Sequence, residues 1–170
     1  AKYEVSLVVH EPIKDTGLRR TFPNMMSREG AKGQEFNGFM SSKDNNKPNH
    51  TTIIPFTRLL SSPMDYTPGI FNLVDYRYNS PEDRKINPNH RIPSTISKEL
   101  ALYVVIYAPV QMAADLPINY EGNPAFQFIL DVPTDWEETK VLNGEIGEFI
   151  TIARKDINSD SWYIGSITNK

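Results

Sequence analysis

Two short apolar segments, each followed directly by a glutamate, constrain the possible folds of this chain. Residues 3–10 read YEVSLVVH and precede Glu11, and residues 25–28 read MMSR and precede Glu29. The first segment is typical of a buried strand in a parallel sheet or barrel. In parallel barrels, active sites lie at the carboxyl ends of the strands. Both glutamates therefore stand where a barrel would place its chemistry.

Helical patterns follow the two strand segments. Residues 51–60 carry apolar side chains at helical spacing, and Pro55 is expected in the first turn of that helix. A longer helix is predicted over 96–114, capped by Ser94 and kinked near Pro109. Alternation of strands and helices is typical of βα units.

The last part of the chain changes to a period of two. It predicts strands at 139–142, 148–154 and 162–167, after a short helix at 124–130, with turns at Asn143-Gly144 and at 158–161. The predicted fold class is α/β: the C-terminal half of a (β/α)8 TIM barrel over 1–145, then the first strands of an all-β domain over 146–170. So few βα units cannot close an eight-stranded barrel. We therefore expect a fragment of a longer protein.

Composition argues against several classes of function. The net charge of −3 gives no basic surplus for nucleic acid or an anionic membrane surface. There are no cysteines, which excludes disulfides, thiolate zinc sites and cysteine nucleophiles. The most apolar run, 100–112, is too short to span a bilayer and contains Pro109, so we expect no membrane insertion.

Three acids are candidates for a common site: Glu11, Glu29 and Glu35. Each alone is more often a surface acid, but acids near successive strand ends are brought together by a barrel. Clustered carboxylates repel each other, and a hard cation such as calcium relieves that repulsion. Glycosidases use one protonated and one ionised carboxyl group. The three acids could supply both.

The other polar candidates are less specific. His10 could hydrogen-bond a sugar hydroxyl, orient Glu11, or be a satisfied core histidine. His50 and His90 are expected in solvated loops and show no metal-ligand spacing. Asp65 is expected to hold its turn through backbone NH groups rather than to take part in catalysis.

Linked blocks of sequence resemble the second half of glycoside hydrolase family 97, in order and over nearly the whole chain. They are His10-Glu11, TGLRRTFPN (16–24), SREGAKGQEFN (27–37), HTTIIPFTR (50–58), SPMDYTPG (62–69) and DWEETKVLNGEIGEF (135–149). The resemblance implies an N-terminal β-sandwich, a (β/α)8 barrel and a C-terminal β-domain in the complete protein.

The resemblance also implies residue roles. Glu35 matches the general acid, and Glu11 matches the general base of inverting members. Glu11, Glu29 and Glu35 match calcium ligands, and His10 matches a residue that contacts substrate. Retaining members use an aspartate nucleophile that lies outside this chain.

The implied activity is hydrolysis of α-glucosidic bonds in oligosaccharides, with inversion and with calcium. The alternatives are a retaining α-galactosidase and a non-catalytic carbohydrate-binding or structural fragment. The isolated chain is expected to be inactive, and to self-associate or to contact the missing half of the barrel. A bacterial periplasmic or secreted location follows from the resemblance.

Overall fold

A computed structural model describes residues 3–13, 15–39, 46–74 and 91–170, with only the backbone described at 38 and 39. His90 and most of the predicted loop around it lie outside these residues. None of the helices within these ranges has the length and hydropathy needed to cross a membrane.

The first half of the chain is organised by parallel pairing. Strand β1 (Leu7–Val9) pairs in parallel with β2 (Met25–Arg28), and Arg28 forms a parallel bridge with Met64. The amide of Met64 in turn donates to the carbonyl of Tyr107 at 3.0 Å. Parallel neighbours separated by long connections agree with the predicted βα units. The barrel itself remains a prediction.

Strand β1 differs from its prediction in burial. Leu7 and Val8 are 43% and 36% exposed, so the prediction of a buried strand is wrong for this chain. Within the described residues β1 pairs on one edge only, with β2.

The segment predicted as one helix over 51–60 is divided. Helix α1 (Leu18–Thr21) and helix α2 (Phe36–Phe39) precede it, and it contains α3 (His50–Ile53) and two 3-10 turns, Ile54–Phe56 and Arg58–Leu60. Pro55 lies in the first turn of the first 3-10 segment, as expected, because proline has no NH to donate within a helix. Thr57, at φ −131°, separates the two turns.

Helix α4 (Ile96–Val105) ends much earlier than predicted. Its N-cap is Thr95 rather than Ser94, and the side chain of Thr95 accepts from the amide of Lys98. Ile106 has an extended backbone, and the carbonyl of Tyr107 accepts from the amide of Met64. The chain therefore leaves the helix at this point and runs beside the segment of Met64. The predicted helix through 114 is therefore wrong. Two short helices follow, α5 (Pro117–Tyr120) and α6 (Phe126–Asp131).

The three predicted C-terminal strands are confirmed and are longer than expected. Strands β3 (Trp136–Glu145), β4 (Phe149–Asp156) and β5 (Trp162–Thr168) form an antiparallel sheet in that order. The predicted turn at Asn143-Gly144 is wrong, because both residues pair with β4 after an irregularity in β3. The chain turns instead around Gly147, at φ +81°. Since β3 belongs to the sheet, the sheet begins well before the predicted boundary at 145/146.

The main core lies between α4 and this sheet. Leu102, Val105 and Ile106 pack with a cluster that includes Ile150, Ile152 and Ile167. Gly165 of β5 lies directly against the helix. A Cβ at Gly165 would be 2.7 Å from the carbonyl oxygen of Ala101 and 2.8 Å from Cβ of Val104. The contact thus requires a residue without a side chain.

We expect Gly165→Ala to destabilise the chain by about 1–3 kcal/mol, because the added methyl group overlaps helix backbone. Ser166→Thr is the control: it also adds a methyl group, one residue along and on the exposed side of the strand, and it keeps the hydroxyl that meets Thr151 at 2.9 Å. It should change stability by less than about 0.5 kcal/mol. Urea denaturation of the two variants measures the difference. Equal unfolding midpoints would contradict the close packing of α4 on β5.

Candidate active site

The parallel ladder brings several polar residues to one edge. His10 and Glu11 follow β1, Glu29 follows β2, and Asp65 follows the bridge at Met64. The ladder continues into these positions, since the amide of Glu29 donates to Val9 O at 2.9 Å and that of Asp65 to Arg28 O at 3.0 Å. Carboxyl ends of parallel neighbours share an edge, so the sequence prediction that these acids converge has a geometric basis.

His10 and Asp65 form a pair in this site. Nε2 of His10 lies 2.6 Å from Oδ2 of Asp65, whose side chain is almost completely buried while that of His10 is half exposed. The hydrogen bond to Asp65 raises the pKa of His10 above 6.5; burial opposes this, and the charges of Asp65, Glu29 and Glu35 add to it. The exposed ring does not fit the core-histidine alternative.

The pair also corrects the expectation for Asp65, whose carboxylate bonds the ring of His10 directly after β1. The sequence contained one usable signal. Asp65 directly follows the third segment of the ladder, as Glu11 and Glu29 follow the first two.

Glu11 is held in an uncommon backbone conformation. Its φ is +42°, in the left-handed region that non-glycine residues rarely occupy, and its amide donates to Oε2 of Glu29 at 3.1 Å. Backbone strain of this kind is concentrated at functional sites. Glu11 and Glu29 are therefore neighbours whose relative position is set by a main-chain contact.

Glu35 lies in the loop after β2 and is held by a residue of the next loop. Its Oε2 is 2.8 Å from Oγ1 of Thr67, which also has a positive φ, of +59°. A side chain at Gly33 would overlap the Glu35 carboxylate, so the glycine lets the loop fold tightly beneath it.

Arg58 supports this edge from behind. Its guanidinium donates to the carbonyls of Glu29 at 3.0 Å, Arg28 at 2.9 Å and Ser62 at 3.0 Å. A Cβ at Gly30 would be 2.8 Å from Nε of Arg58. Sequence reasoning assigned Arg58 no role, yet it joins the end of β2 to the segment that carries Asp65.

The calcium prediction requires the three glutamates to share an ion. Calcium takes six to eight oxygen ligands. Within the ranges that the structure describes, no three or more His, Asp or Glu side chains are placed to hold one metal ion. The described residues thus do not form a complete calcium site by themselves, and calcium binding stays a prediction.

His50 was expected to be solvated but is half-buried. Its Nε2 lies 2.7 Å from the carbonyl oxygen of Lys32, and burial lowers its pKa below 6.5. A cavity of about 700 Å³ lies elsewhere, lined by Asp115, Tyr120, Phe126 and their neighbours. It is lined by none of the predicted site residues.

Comparison with known proteins identifies the class of protein to which this arrangement belongs. Residues 1–31 match the family model described as glycoside hydrolase 97, and residues 135–170 match that described as glycosyl-hydrolase 97 C-terminal, oligomerisation. A retaining alpha-galactosidase of Bacteroides thetaiotaomicron is 38% identical over 99% of this chain and 25% of its own length.

Solved structures give the same result. A glycoside hydrolase family 97 enzyme from Pseudoalteromonas sp. strain K8, solved in complexes with panose and with acarbose, is 49% identical, with a TM-score of 0.83 over 98% of this chain and 25% of that enzyme. The chain belongs to glycoside hydrolase family 97. It spans about a quarter of the length of these relatives.

The two described histidines should titrate in opposite directions from 6.5. Because its pKa is raised, protonated His10 stabilises the fold fully below about pH 6.5, and this contribution is lost as the pH rises through the raised pKa. We expect Asp65→Asn to lower the pKa of His10, with His50 unchanged as an internal control. NMR titration of the imidazole C–H signals measures both. A His10 midpoint unmoved by Asp65→Asn would contradict the pairing.

Proposed function

We propose that the whole protein hydrolyses α-glucosidic bonds in oligosaccharides with inversion, and that this chain supplies its acid, Glu35, and its base, Glu11. The observation that carries the proposal is the convergence of Glu11, Glu29, His10 and Asp65 at one edge of the ladder, with Glu35 held by Thr67. Two carboxyl groups with separate environments are what glycoside hydrolysis requires.

The contacts of Thr67 suit Glu35 to the role of proton donor. Oγ1 of Thr67 lies 2.6 Å from the carbonyl oxygen of Tyr66 and 2.8 Å from Oε2 of Glu35, but a hydroxyl group has only one proton. When Thr67 donates to the carbonyl, Oε2 must carry the proton of its own bond. When Glu35 has given up its proton, Thr67 can turn and donate to the carboxylate. Both states of the acid are thus hydrogen-bonded.

The base acts on the opposite face of the sugar. Glu11 removes a proton from water as the water attacks the anomeric carbon, while Glu35 protonates the leaving oxygen. Inversion needs about 6.5–9.5 Å between the two carboxyl groups, to leave room for the water. With Nε2 of His10 engaged by Asp65, Nδ1 is the ring atom that can donate to a sugar hydroxyl.

A retaining α-galactosidase is the second candidate, because a relative at 38% identity bears that name. Two observations favour the glucosidase. The Pseudoalteromonas enzyme, at 49% identity, was solved with panose, which consists of α-linked glucose units. Position 11 also carries a glutamate that can serve as a base in this chain, as the inverting mechanism needs.

Calcium, location and assembly are further parts of the proposal. Glu11, Glu29 and Glu35 would bind calcium together with donors from outside the described residues, and calcium would reduce the repulsion between carboxylates. Self-association would use the sheet, whose residues 135–170 match an oligomerisation domain and expose Val141, Leu142 and Ile164. A periplasmic or secreted location suits oligosaccharide hydrolysis.

We expect Glu35→Gln and Glu11→Gln each to lower kcat of the whole protein on an α-glucoside by about 10²–10⁴-fold, the usual contribution of general acid–base catalysis. Glu121→Gln, a change at an exposed acid outside the parallel ladder, is the matched control. NMR of the first product should show the β-anomer of glucose. Release of the α-anomer, or faster hydrolysis of an α-galactoside than of the α-glucoside, would favour the second candidate.

Calcium binding can be measured by calorimetry on the 170-residue chain and on the whole protein. We expect Glu29→Gln and Glu35→Gln to weaken the affinity of the whole protein at least about tenfold, because each removes a charged oxygen ligand. The 170-residue chain should bind more weakly than the whole protein. Unchanged affinity in both variants, with Glu121→Gln as reference, would remove calcium from the site.

A further inference from the structure

A buried carboxylate lies below the site and has no role in the mechanism described so far. Glu99, in the first turn of α4, has 0% exposure. Four groups meet its two oxygens: the side-chain amide of Gln34 at 2.9 Å, the backbone amides of Gly69 and Ile70 at 3.0 and 3.2 Å, and the hydroxyl of Ser94. An acid buried this deeply is costly unless its oxygens are satisfied, and here they are.

Three of these partners, Gln34, Gly69 and Ile70, belong to the two loops that carry Glu35 and Thr67. Gln34 immediately precedes Glu35, and Gly69 and Ile70 closely follow Thr67. The loops also meet directly, since the amide of Gln34 donates to Tyr66 O at 2.8 Å and the hydroxyl of Tyr66 to Oε1 of Gln34 at 3.1 Å. Glu99 therefore anchors both members of the Glu35–Thr67 contact to one rigid helix.

We propose that Glu99 is a positioning residue: by holding both loops on α4, it keeps the Glu35 carboxyl group against Thr67 and aimed at the leaving oxygen. This inference rests on the proposed function of Glu35 as the acid. Glu99 itself touches no substrate. Misplacement of a reacting group by about 1 Å can cost on the order of 100-fold in rate, so the anchor matters for catalysis.

Glu99→Gln tests the proposal in the whole protein. The substitution keeps the volume but turns one acceptor into a donor that faces the amide of Gln34. The side chain of Gln34 cannot simply flip, because its Oε1 accepts from Tyr66 and from Asn37. Adding Gln34→Glu restores the pairing of a donor with an acceptor. A carboxylate at position 34 can accept from the new amide at position 99, from the hydroxyl of Tyr66 and from the side-chain amide of Asn37.

The readout is the dependence of kcat on the leaving group. A misplaced acid slows cleavage of an oligosaccharide, whose leaving alcohol needs a proton, much more than cleavage of a dinitrophenyl glycoside, whose leaving group needs none. We expect Glu99→Gln to lower kcat on the oligosaccharide by about 10- to 100-fold, with a several-fold smaller effect on the aryl glycoside. The double variant should recover most of the loss, and Glu121→Gln should show none.

The outcomes separate this inference from the proposed function. If Glu35→Gln itself shows no dependence on the leaving group, Glu35 is not the acid and the proposed function fails. If Glu35→Gln shows the dependence but Glu99→Gln slows both substrates equally, or the double variant recovers nothing, the positioning role is overturned. Should Glu99→Gln not fold, Ser94→Ala removes a single donor from Glu99. We then expect a smaller loss of kcat, again larger on the oligosaccharide than on the aryl glycoside. An unchanged ratio of the two kcat values overturns the proposal.

Discussion

The packing of helix α4 against the C-terminal sheet is the interaction on which the rest of the structure depends. At Gly165 the strand approaches the helix so closely that even a methyl group has no room. Beside this contact, the buried guanidinium of Arg154 donates to the carbonyl of Val104 at 2.6 Å, near the end of the helix. Burial lowers the pKa of Arg154 to about 10, which still leaves it charged near neutral pH. A cation at the carboxyl end of a helix is favourable.

The same helix supports the candidate site at its other end. Near its start, Glu99 holds the loops of Glu35 and Thr67, while Lys98 donates to Pro48 O and to Thr168 O at the end of β5. One rigid element thus contacts the sheet along its length and the loops of Glu35 and Thr67 at its N-terminal turn. The position of Glu35 is therefore tied to a sheet whose residues match a domain described as oligomerising.

The sequence predicted those features that depend on local pattern. The bounds of β2 and the existence of three C-terminal strands followed from alternation and apolar runs, and the convergence of Glu11 and Glu29 followed from their position at strand ends. The resemblance supplied roles that spacing alone could not. Predictions that depend on partners distant in sequence were wrong. The burial of β1 depends on what covers the strand, and the turn predicted at Asn143-Gly144 is replaced by pairing with β4.

Other features were missed although a signal was present. Glu99 is the single acid in a helix of mostly apolar residues, ISKELALYVV, and an acid at such a position must be satisfied by a dedicated network. The end of α4 coincides with Val104, Val105 and Ile106, whose branched side chains favour extended backbone. For the pair of Asp65 and His10 the signal was only indirect: Asp65 directly follows the third segment of the ladder, but the sequence pattern did not indicate which side chain it would meet.

The anchoring of the site on α4 also has a consequence for how the molecule folds. The helix can form from local contacts, but the bond from Gln34 to Glu99 spans 65 residues and that from Lys98 to Thr168 spans 70. Closing such long loops costs conformational entropy before the contacts that stabilise them can form. Topologies rich in distant contacts therefore fold slowly. We therefore expect the helix and the antiparallel hairpins to form before the loops of Glu35 and Thr67 join them, so that the site is completed on a scaffold that is already in place.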